Sequence, residues 1–185
     1  MIRGELTNLR AVERTDAGVL FRCFNTLDGP RGWSHGGPPV SLSEVQRRIE
    51  GWLDEERTLG RPAALMVEDL DGGTVGAILL ADYEPDHRAL QVSLVAGQPE
   101  VWDESYEADA LQSLIDTAFD QWNLYRITSR MPVENERLAS AFEACGFRRD
   151  IVFREAAFFD GAYHDVVLYC LLRTDRDRDS ETDGA

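Results

Sequence analysis

The chain has 185 residues, of which 43% are hydrophobic, so it is long enough for one globular domain with its own core. Its formal net charge of −15 argues against nucleic-acid binding, which needs a basic surface, and no apolar run reaches the roughly 18 residues of a membrane helix. We therefore expect a cytoplasmic protein with no nucleic-acid or membrane partner, whose charge either steers a cationic small-molecule substrate or serves solubility alone.

The N-terminal half of the sequence predicts a strand, two helices separated by a long loop, and a hairpin. Asp16 follows Thr15 at the position of a helix cap, and Ser41 starts the second helix, with apolar residues at helical spacing. The loop is rich in glycine and proline, and loops of such length are often functional. In chain order these elements are a strand at 8–12, a helix at 17–24, the loop at 28–39, a helix from 41 to the break at 61–62, and strands at 63–68 and 74–83 joined by a turn at 71–73.

The C-terminal half alternates strands with helices and ends in a second hairpin. Gly146 directly follows the predicted helix at 136–145, at the C-terminal position where helices favour glycine. The predicted elements are a strand at 89–96, a helix at 106–122, a strand at 125–131, a helix at 136–145, and strands at 148–159 and 164–172.

This order predicts an α/β fold class, with a mixed, mostly antiparallel sheet flanked by helices in one domain at 1–173. The remaining segment, 174–185, is dominated by charged side chains, which predicts a disordered acidic tail. Cys23, Cys145 and Cys170 are odd in number and widely spaced, so they favour reduced, buried thiols over disulfides or a zinc site. All basic residues are arginine, a bias typical of a GC-rich bacterial genome, so no lysine can serve as a base.

Five stretches of the sequence, taken together in order and spacing, resemble the GNAT acetyltransferase superfamily, especially its ribosomal-protein and spermidine acetyltransferase branch. The stretches are Asn8-Leu9-Arg10 with Asp16-Ala17, and residues 97–102, 119–127, 133–147 and 158–165. The resemblance implies a single GNAT-like domain that uses acetyl-CoA as acyl donor. It also implies a homodimer, since proteins of this superfamily often pair through their C-terminal strands.

The resemblance places the coenzyme along a strand margin and at a helix start. The pantetheine arm would pair with the backbone of Leu94, Val95 and Ala96, and the pyrophosphate would meet N–H groups at the start of the following helix. Asn135 matches an asparagine that contacts the coenzyme arm, although an asparagine before a helix also serves as a cap. The helix-start positions are Asp103, Glu104, Ser105, Tyr106, Glu107 and Ala108.

The coenzyme loop is degenerate, because Asp103, Ser105 and Glu107 replace its expected glycines. Two unit charges 4 Å apart repel by about 1 kcal/mol in water and about 4 kcal/mol at a protein-surface dielectric. A helix dipole offsets only about 0.3–1 kcal/mol. The carboxylates of this loop are therefore expected to weaken acetyl-CoA binding, unless they serve only as partners of the helix dipole.

The catalytic groups that the resemblance implies are also altered. Phe142 stands where the family often has a tyrosine that protonates the departing thiolate, and Gln91 stands where this branch commonly has a glutamate. Trp33 and His35, in the glycine-rich loop, are candidates to contact the acceptor. The candidates for the catalytic position are His35, Gln91 and Glu155, and the other titratable candidates are Glu68, Glu84, His87 and His164.

Besides a role as a scaffold or dimerisation partner, two functions follow from these observations. The first is an N-acyltransferase that moves an acetyl or other acyl group from a CoA thioester to a primary amine of a small, cationic acceptor. The alternative is a GNAT-fold protein that no longer uses acetyl-CoA and acts as a binding or regulatory module, or in other chemistry. No Ser-His-Asp order, metal-ligand spacing or Walker loop is present in the sequence.

Overall fold

The computed structural model describes residues 1–25, 39–97 and 104–182, and within these ranges a sheet of eight strands is flanked by helices. This confirms the predicted α/β class. The strands are β1 Ile2–Arg3, β2 Thr7–Ala11, β3 Ala64–Asp69, β4 Thr74–Glu84, β5 Ala89–Ala96, β6 Arg126–Pro132, β7 Arg148–Phe159 and β8 Ala162–Leu172. The helices are α1 Ala17–Asn25, α2 Leu42–Leu59, α3 Glu104–Asp116, α4 Glu136–Ala144 and α5 Arg173–Thr182, with a π-helical turn at Thr117–Gln121. No helix within these ranges is both long and apolar enough to cross a membrane.

The sheet follows the order β1-β2-β3-β4-β5-β6-β8-β7, and its strand pairs are antiparallel except for β5 with β6. Those two strands are parallel because α3 lies between them in the chain and forms the crossover that parallel strands need. The one parallel pair therefore lies inside the sheet, with β4 on one side and β8 on the other.

Alternate side chains of the central strands enter two cores on opposite faces of the sheet. On one face, Leu90 and Leu94 of β5 pack with residues of α3 and α4. On the other face, Leu79 of β4 and Val95 of β5 pack with residues of α1 and α2. Since side chains alternate along a strand, the position of a residue in β5 or β6 decides which set of helices it faces.

Helix α2 begins and ends as its sequence predicts. Ser41 is its N-cap, and the Ser41 hydroxyl accepts a hydrogen bond from the Glu44 N–H at 3.1 Å. Gly60 ends the helix with a φ of 69°, a left-handed conformation that glycine adopts without strain, and donates its N–H to the Glu56 carbonyl at 2.8 Å. The break at Arg61 and Pro62 follows directly.

Asp16 takes part in a helix cap, as the third residue of a capping box with Glu13 and not as the N-cap that the sequence predicts. It ends a 3-10 turn before α1, is 5% exposed, and accepts hydrogen bonds from the Arg10 guanidinium on both carboxylate oxygens at 2.7 Å. Burial opposes its charge, but these bonds and one from the Glu13 N–H hold the pKa of Asp16 below its usual value. Asp16 therefore anchors the start of α1 to β2 through Arg10.

The segment after 173 also differs from the disordered tail that its composition predicts, because Arg173–Thr182 form α5. Arg176 docks this helix by donating a hydrogen bond to Asp120 at 2.7 Å and by lying 5.2 Å from the centroid of the Phe119 ring. The ion pair joins residues far apart in the sequence, so composition alone does not reveal it. Residues 183–185 lie outside the described ranges, and the domain boundary at 173 stays a prediction.

Candidate active site

Strands β5 and β6 part from each other after a short parallel pairing. Their backbones pair only from Ala89 with Arg126 to Gln91 with Thr128. Beyond this point β5 pairs with β4 alone, and β6 pairs with β8 alone. The divergence opens a V-shaped gap in the sheet, which we call the strand opening. The margin predicted to meet a coenzyme arm, residues 94–96, lies along this opening, where its outward backbone groups are not taken up by β6.

The two helices that follow the diverging strands begin next to each other. Glu107 lies in the first turn of α3 and Arg137 in the first turn of α4, and the two side chains form an ion pair. The Glu107 side chain is 4% exposed, whereas the Arg137 side chain is 47% exposed. Two helix N-termini therefore meet beside the strand opening, an arrangement that favours an anion, and Arg137 there is already paired with Glu107.

This ion pair reduces the expected effect of one carboxylate of the acidic helix start. Glu107 does not add an uncompensated charge, because Arg137 offsets it within the fold. Ser105 is exposed, Tyr106 packs against the core, and the Ala108 carbonyl faces the Cys145 thiol at 3.6 Å. Glu104 begins α3, whereas Asp103 lies outside the described residues.

Helix α4 carries two of the positions singled out in the sequence. Asn135 is its N-cap and accepts a hydrogen bond from the Leu138 N–H at 3.3 Å, as expected of an asparagine before a helix. Phe142 is fully buried, and its ring meets the Phe147 ring edge-on at 4.8 Å. Burial raises the pKa of the nearby Cys145 thiol to about 11, so that thiol stays protonated and is not a nucleophile at neutral pH.

A cavity of about 390 Å³ lies at the base of the strand opening, on the face of the sheet that carries α1 and α2. We call it the charged cleft, because carboxylates and guanidiniums both line it. It contains Gln91, Glu84 and His87, three candidates from the sequence. Its full lining is Asp82, Glu84, His87, Ala89, Leu90, Gln91, Tyr125, Arg126, Thr128, Arg130 and Leu168.

The acidic and basic groups of the charged cleft come from different strands. Asp82 lies at a register shift in β4 with a φ of 48°, and such bulges re-aim side chains. Arg126 and Arg130 lie on β6, where Arg126 donates a hydrogen bond to Asp150 at 3.1 Å. Sequence reasoning missed Asp82 and both arginines, because no local spacing relates residues that only the sheet brings together.

The remaining candidates that the structure describes lie outside the charged cleft. Glu68 is paired with Arg10 at 2.6 Å. Glu155 is exposed on β7 with a φ of 49°, and its N–H donates to Asp165 at 2.8 Å. Trp33 and His35 lie outside the described residues. Among the residues at 1–25, 39–97 and 104–182, no cluster of three or more His, Cys, Asp or Glu side chains is arranged to hold a metal ion.

His164 joins the β7–β8 hairpin to the segment before α4. Its Nδ1 lies 3.0 Å from Glu134 Oε1, its Nε2 lies 3.2 Å from the Phe159 carbonyl, and its ring stacks on the Phe159 ring at 3.7 Å. The hydrogen bond with Glu134 raises the pKa of His164 above 6.5, and the same bond lowers the pKa of Glu134. The contact is therefore strongest when His164 is protonated and Glu134 is ionised.

This contact predicts a pH-dependent stability. Because the folded pKa of His164 is raised, its stabilisation is present below about pH 6.5 and is lost as the pH rises through the folded pKa. We expect wild type to melt above His164→Gln below about pH 6.5, and the difference between the two melting temperatures to shrink as the pH rises through the folded pKa of His164. The exposed His87, 3.9 Å from Glu84, supplies the control His87→Gln, which leaves the contact between His164 and Glu134 intact. A constant difference between wild type and His164→Gln from about pH 5.5 to about pH 8 would contradict the assignment.

Comparison with known proteins agrees with this geometry. The family model of the acetyltransferase (GNAT) domain matches residues 7–148. A spermidine N(1)-acetyltransferase from Vibrio cholerae is 24% identical over 166 residues, covering 90% of this chain and 92% of the relative. One from Escherichia coli K12 is 22% identical over 167 residues, covering 89% and 85%.

Solved structures share the fold at low sequence identity. The crystal structure of the Vibrio cholerae spermidine N-acetyltransferase in complex with CoA and spermine superposes with a TM-score of 0.81 at 23% identity, covering 92% of this chain and 97% of the other. A GNAT-family acetyltransferase from Bacillus anthracis gives a TM-score of 0.75 at 19% identity, with coverage of 92% and 97%. These likenesses establish the fold around the strand opening.

Proposed function

The chain belongs to the GNAT acetyltransferase family, and from that premise we propose that it transfers an acetyl group from acetyl-CoA to a primary amine of a small, cationic acceptor. The observation that carries the proposal is the position of the charged cleft, which meets the strand opening at Gln91 and Thr128. A donor lying in the opening and an acceptor in the cleft would converge at this point. Holding two reactants together in this way accelerates a reaction that needs no covalent enzyme intermediate.

The described residues fit the coenzyme that the family uses. The margin of β5 at residues 94–96 offers backbone groups to the amides of a pantetheine arm. The N-termini of α3 and α4 favour the charge of a pyrophosphate, and the Arg137–Glu107 pair beside them adds no net charge of either sign. Because the Asn135 side chain already caps α4, the pantetheine arm would meet the Asn135 backbone and the start of α4. Asp103 and the rest of 98–103 lie outside the described residues, so the fit of the coenzyme does not rest on that loop.

Acyl transfer at this site needs an uncharged amine and a leaving thiolate. In the cleft, Asp82 and Glu84 would attract the ammonium group and place it beside Gln91. The amine loses a proton to solvent or to a carboxylate, its nitrogen bonds to the thioester carbon, and the carbon–sulfur bond breaks. Phe142 has no proton to give, so the second proton lost by the amine nitrogen would reach the departing thiolate through water. Gln91 cannot act as a base, and its amide would orient the amine.

Removal of either carboxylate from the cleft tests the acceptor site. Asp82→Asn and Glu84→Gln are each expected to raise the KM for the amine about ten-fold, because each removes one charge that attracts an ammonium group. Asp71→Asn, in the β3–β4 turn and outside the cleft, is the matched control and should leave the KM unchanged. Equal KM values for all four proteins would place the acceptor elsewhere.

The relatives suggest which amines to assay first. The Vibrio cholerae and Escherichia coli proteins are spermidine N(1)-acetyltransferases, so spermidine and spermine are natural first acceptors. The acidic net charge would concentrate such cations near the protein. The cytoplasmic location and the homodimer stay predictions, and sedimentation of the purified protein would check the latter.

A further inference from the structure

The charged cleft holds opposite charges that do not neutralise each other. Asp82 and Glu84 stand at the end of β4, and Arg126 and Arg130 stand on β6. Among the described residues, no ion pair joins the two carboxylates to the two guanidiniums. The two walls are therefore held apart, and a ligand between them meets a negative side and a positive side.

Arg130 is the guanidinium of the cleft that forms no ion pair with a described carboxylate. Arg126 is held by Asp150 at 3.1 Å, whereas Arg130 has no carboxylate within 4.0 Å in the described part of the chain. The Arg130 guanidinium carbon lies 5.4 Å from the centroid of the Phe153 ring, a contact that occupies a face of the guanidinium. Its in-plane N–H groups, which match the two oxygens of a carboxylate, stay available.

A simple polyamine complements only half of this cleft. Its ammonium groups suit Asp82 and Glu84, but it brings no anionic group to Arg130. A molecule with an amine at one end and a carboxylate at the other complements both walls. A cavity of about 390 Å³ is at the small end of ligand pockets, which fits a molecule of amino-acid size.

We infer that the acceptor is a diamino acid, whose distal amine is acetylated while its carboxylate binds Arg130. A diamino acid is a small cation with a primary amine, as the proposed function requires. This inference rests on the proposed function and adds a specificity-determining residue to it. It assigns the carboxylates of β4 to the ammonium group and the free guanidinium of β6 to the acid group.

Lysine and 1,5-diaminopentane test the inference, because they differ only by one carboxylate. We expect the wild type to give a kcat/KM for lysine at least ten-fold above that for 1,5-diaminopentane. Arg130→Gln should bring this ratio close to one. Arg149→Gln, which removes the same charge from β7 outside the cleft, should keep the ratio of the wild type.

A wild-type ratio of one or less, or a ratio that Arg130→Gln leaves unchanged, would overturn the inference. Calorimetric binding of the two amines without acetyl-CoA separates it from the proposed function. If neither amine is acetylated but lysine binds at least ten-fold more tightly and Arg130→Gln removes that difference, the specificity holds and acyl transfer fails. If both amines are acetylated without discrimination, acyl transfer holds and the diamino acid is excluded.

Discussion

Gly97→Ala is expected to lower the free energy of unfolding by about 2–3 kcal/mol and to weaken acetyl-CoA binding. Gly97 follows β5 directly and donates its N–H to the Val75 carbonyl at 2.8 Å. A Cβ at this position would lie 2.3 Å from the Val75 carbonyl oxygen and 2.7 Å from its carbon. These are backbone atoms of the neighbouring strand, so the clash can be relieved only by moving β5 away from β4.

The same movement would displace the margin of the strand opening, which is why binding should weaken together with stability. Gly18→Ala is the matched control, because a Cβ at Gly18 meets nothing within 4 Å in α1. That variant should gain up to about 1 kcal/mol from helix propensity. Chemical denaturation and titration with acetyl-CoA measure both effects. If Gly97→Ala is as stable as Gly18→Ala, the stability of the fold does not depend on the close approach of β5 to Val75.

Asp109→Ala is expected to cost about 3 kcal/mol of stability, because one carboxylate ties the N-terminal turn to α3. Asp109 accepts hydrogen bonds from the N–H groups of Glu5, Leu6 and Thr7 at 2.8, 3.1 and 2.8 Å, and from the Thr7 hydroxyl at 2.6 Å. Thr7 is fully buried, so its hydroxyl and N–H would lose their partner without access to water. The turn between β1 and β2 would then separate from the helix.

Asp116→Ala is the control for this prediction, since Asp116 lies at the end of the same helix. Among the described residues it accepts one hydrogen bond from Gln112 at 3.2 Å and forms an ion pair with Arg176 at 3.6 Å. Contacts of this exposed kind contribute about 0–1 kcal/mol. Denaturant unfolding of both variants gives the comparison. A loss at Asp109 no larger than the loss at Asp116 would show that the turn is held by its backbone pairing alone.

The order of strands and helices could be predicted from the sequence because its signals are local. Ser41 and the break at Arg61 and Pro62 each act within a few residues, and the structure places the elements close to their predicted positions. Contacts between distant residues carry no such signal. Glu107 and Arg137 are thirty positions apart, and only the packing of α3 against α4 makes them partners.

The candidate site divides in the same way. Its strand opening follows from the resemblance, since it depends on backbone geometry that tolerates many side chains. The charged cleft does not follow from the resemblance, because a bulge turns Asp82 toward the cleft and Arg130 reaches the cleft from a different strand. The acidic loop illustrates the risk of reading charges from sequence alone. One of its carboxylates, Glu107, is offset by an arginine from another helix, and this weakens the repulsion expected for a bound pyrophosphate.

Thermal unfolding with acetyl-CoA tests the central claim, that the opening between β5 and β6 binds the acyl donor. At 100 times its dissociation constant a ligand stabilises the folded state by about 2.7 kcal/mol, which corresponds to a rise in Tm of roughly 5–10 °C for a chain of this length. We expect a saturable rise of this size with acetyl-CoA. No change in Tm at millimolar acetyl-CoA would contradict the account and support a GNAT-fold protein that no longer uses this donor.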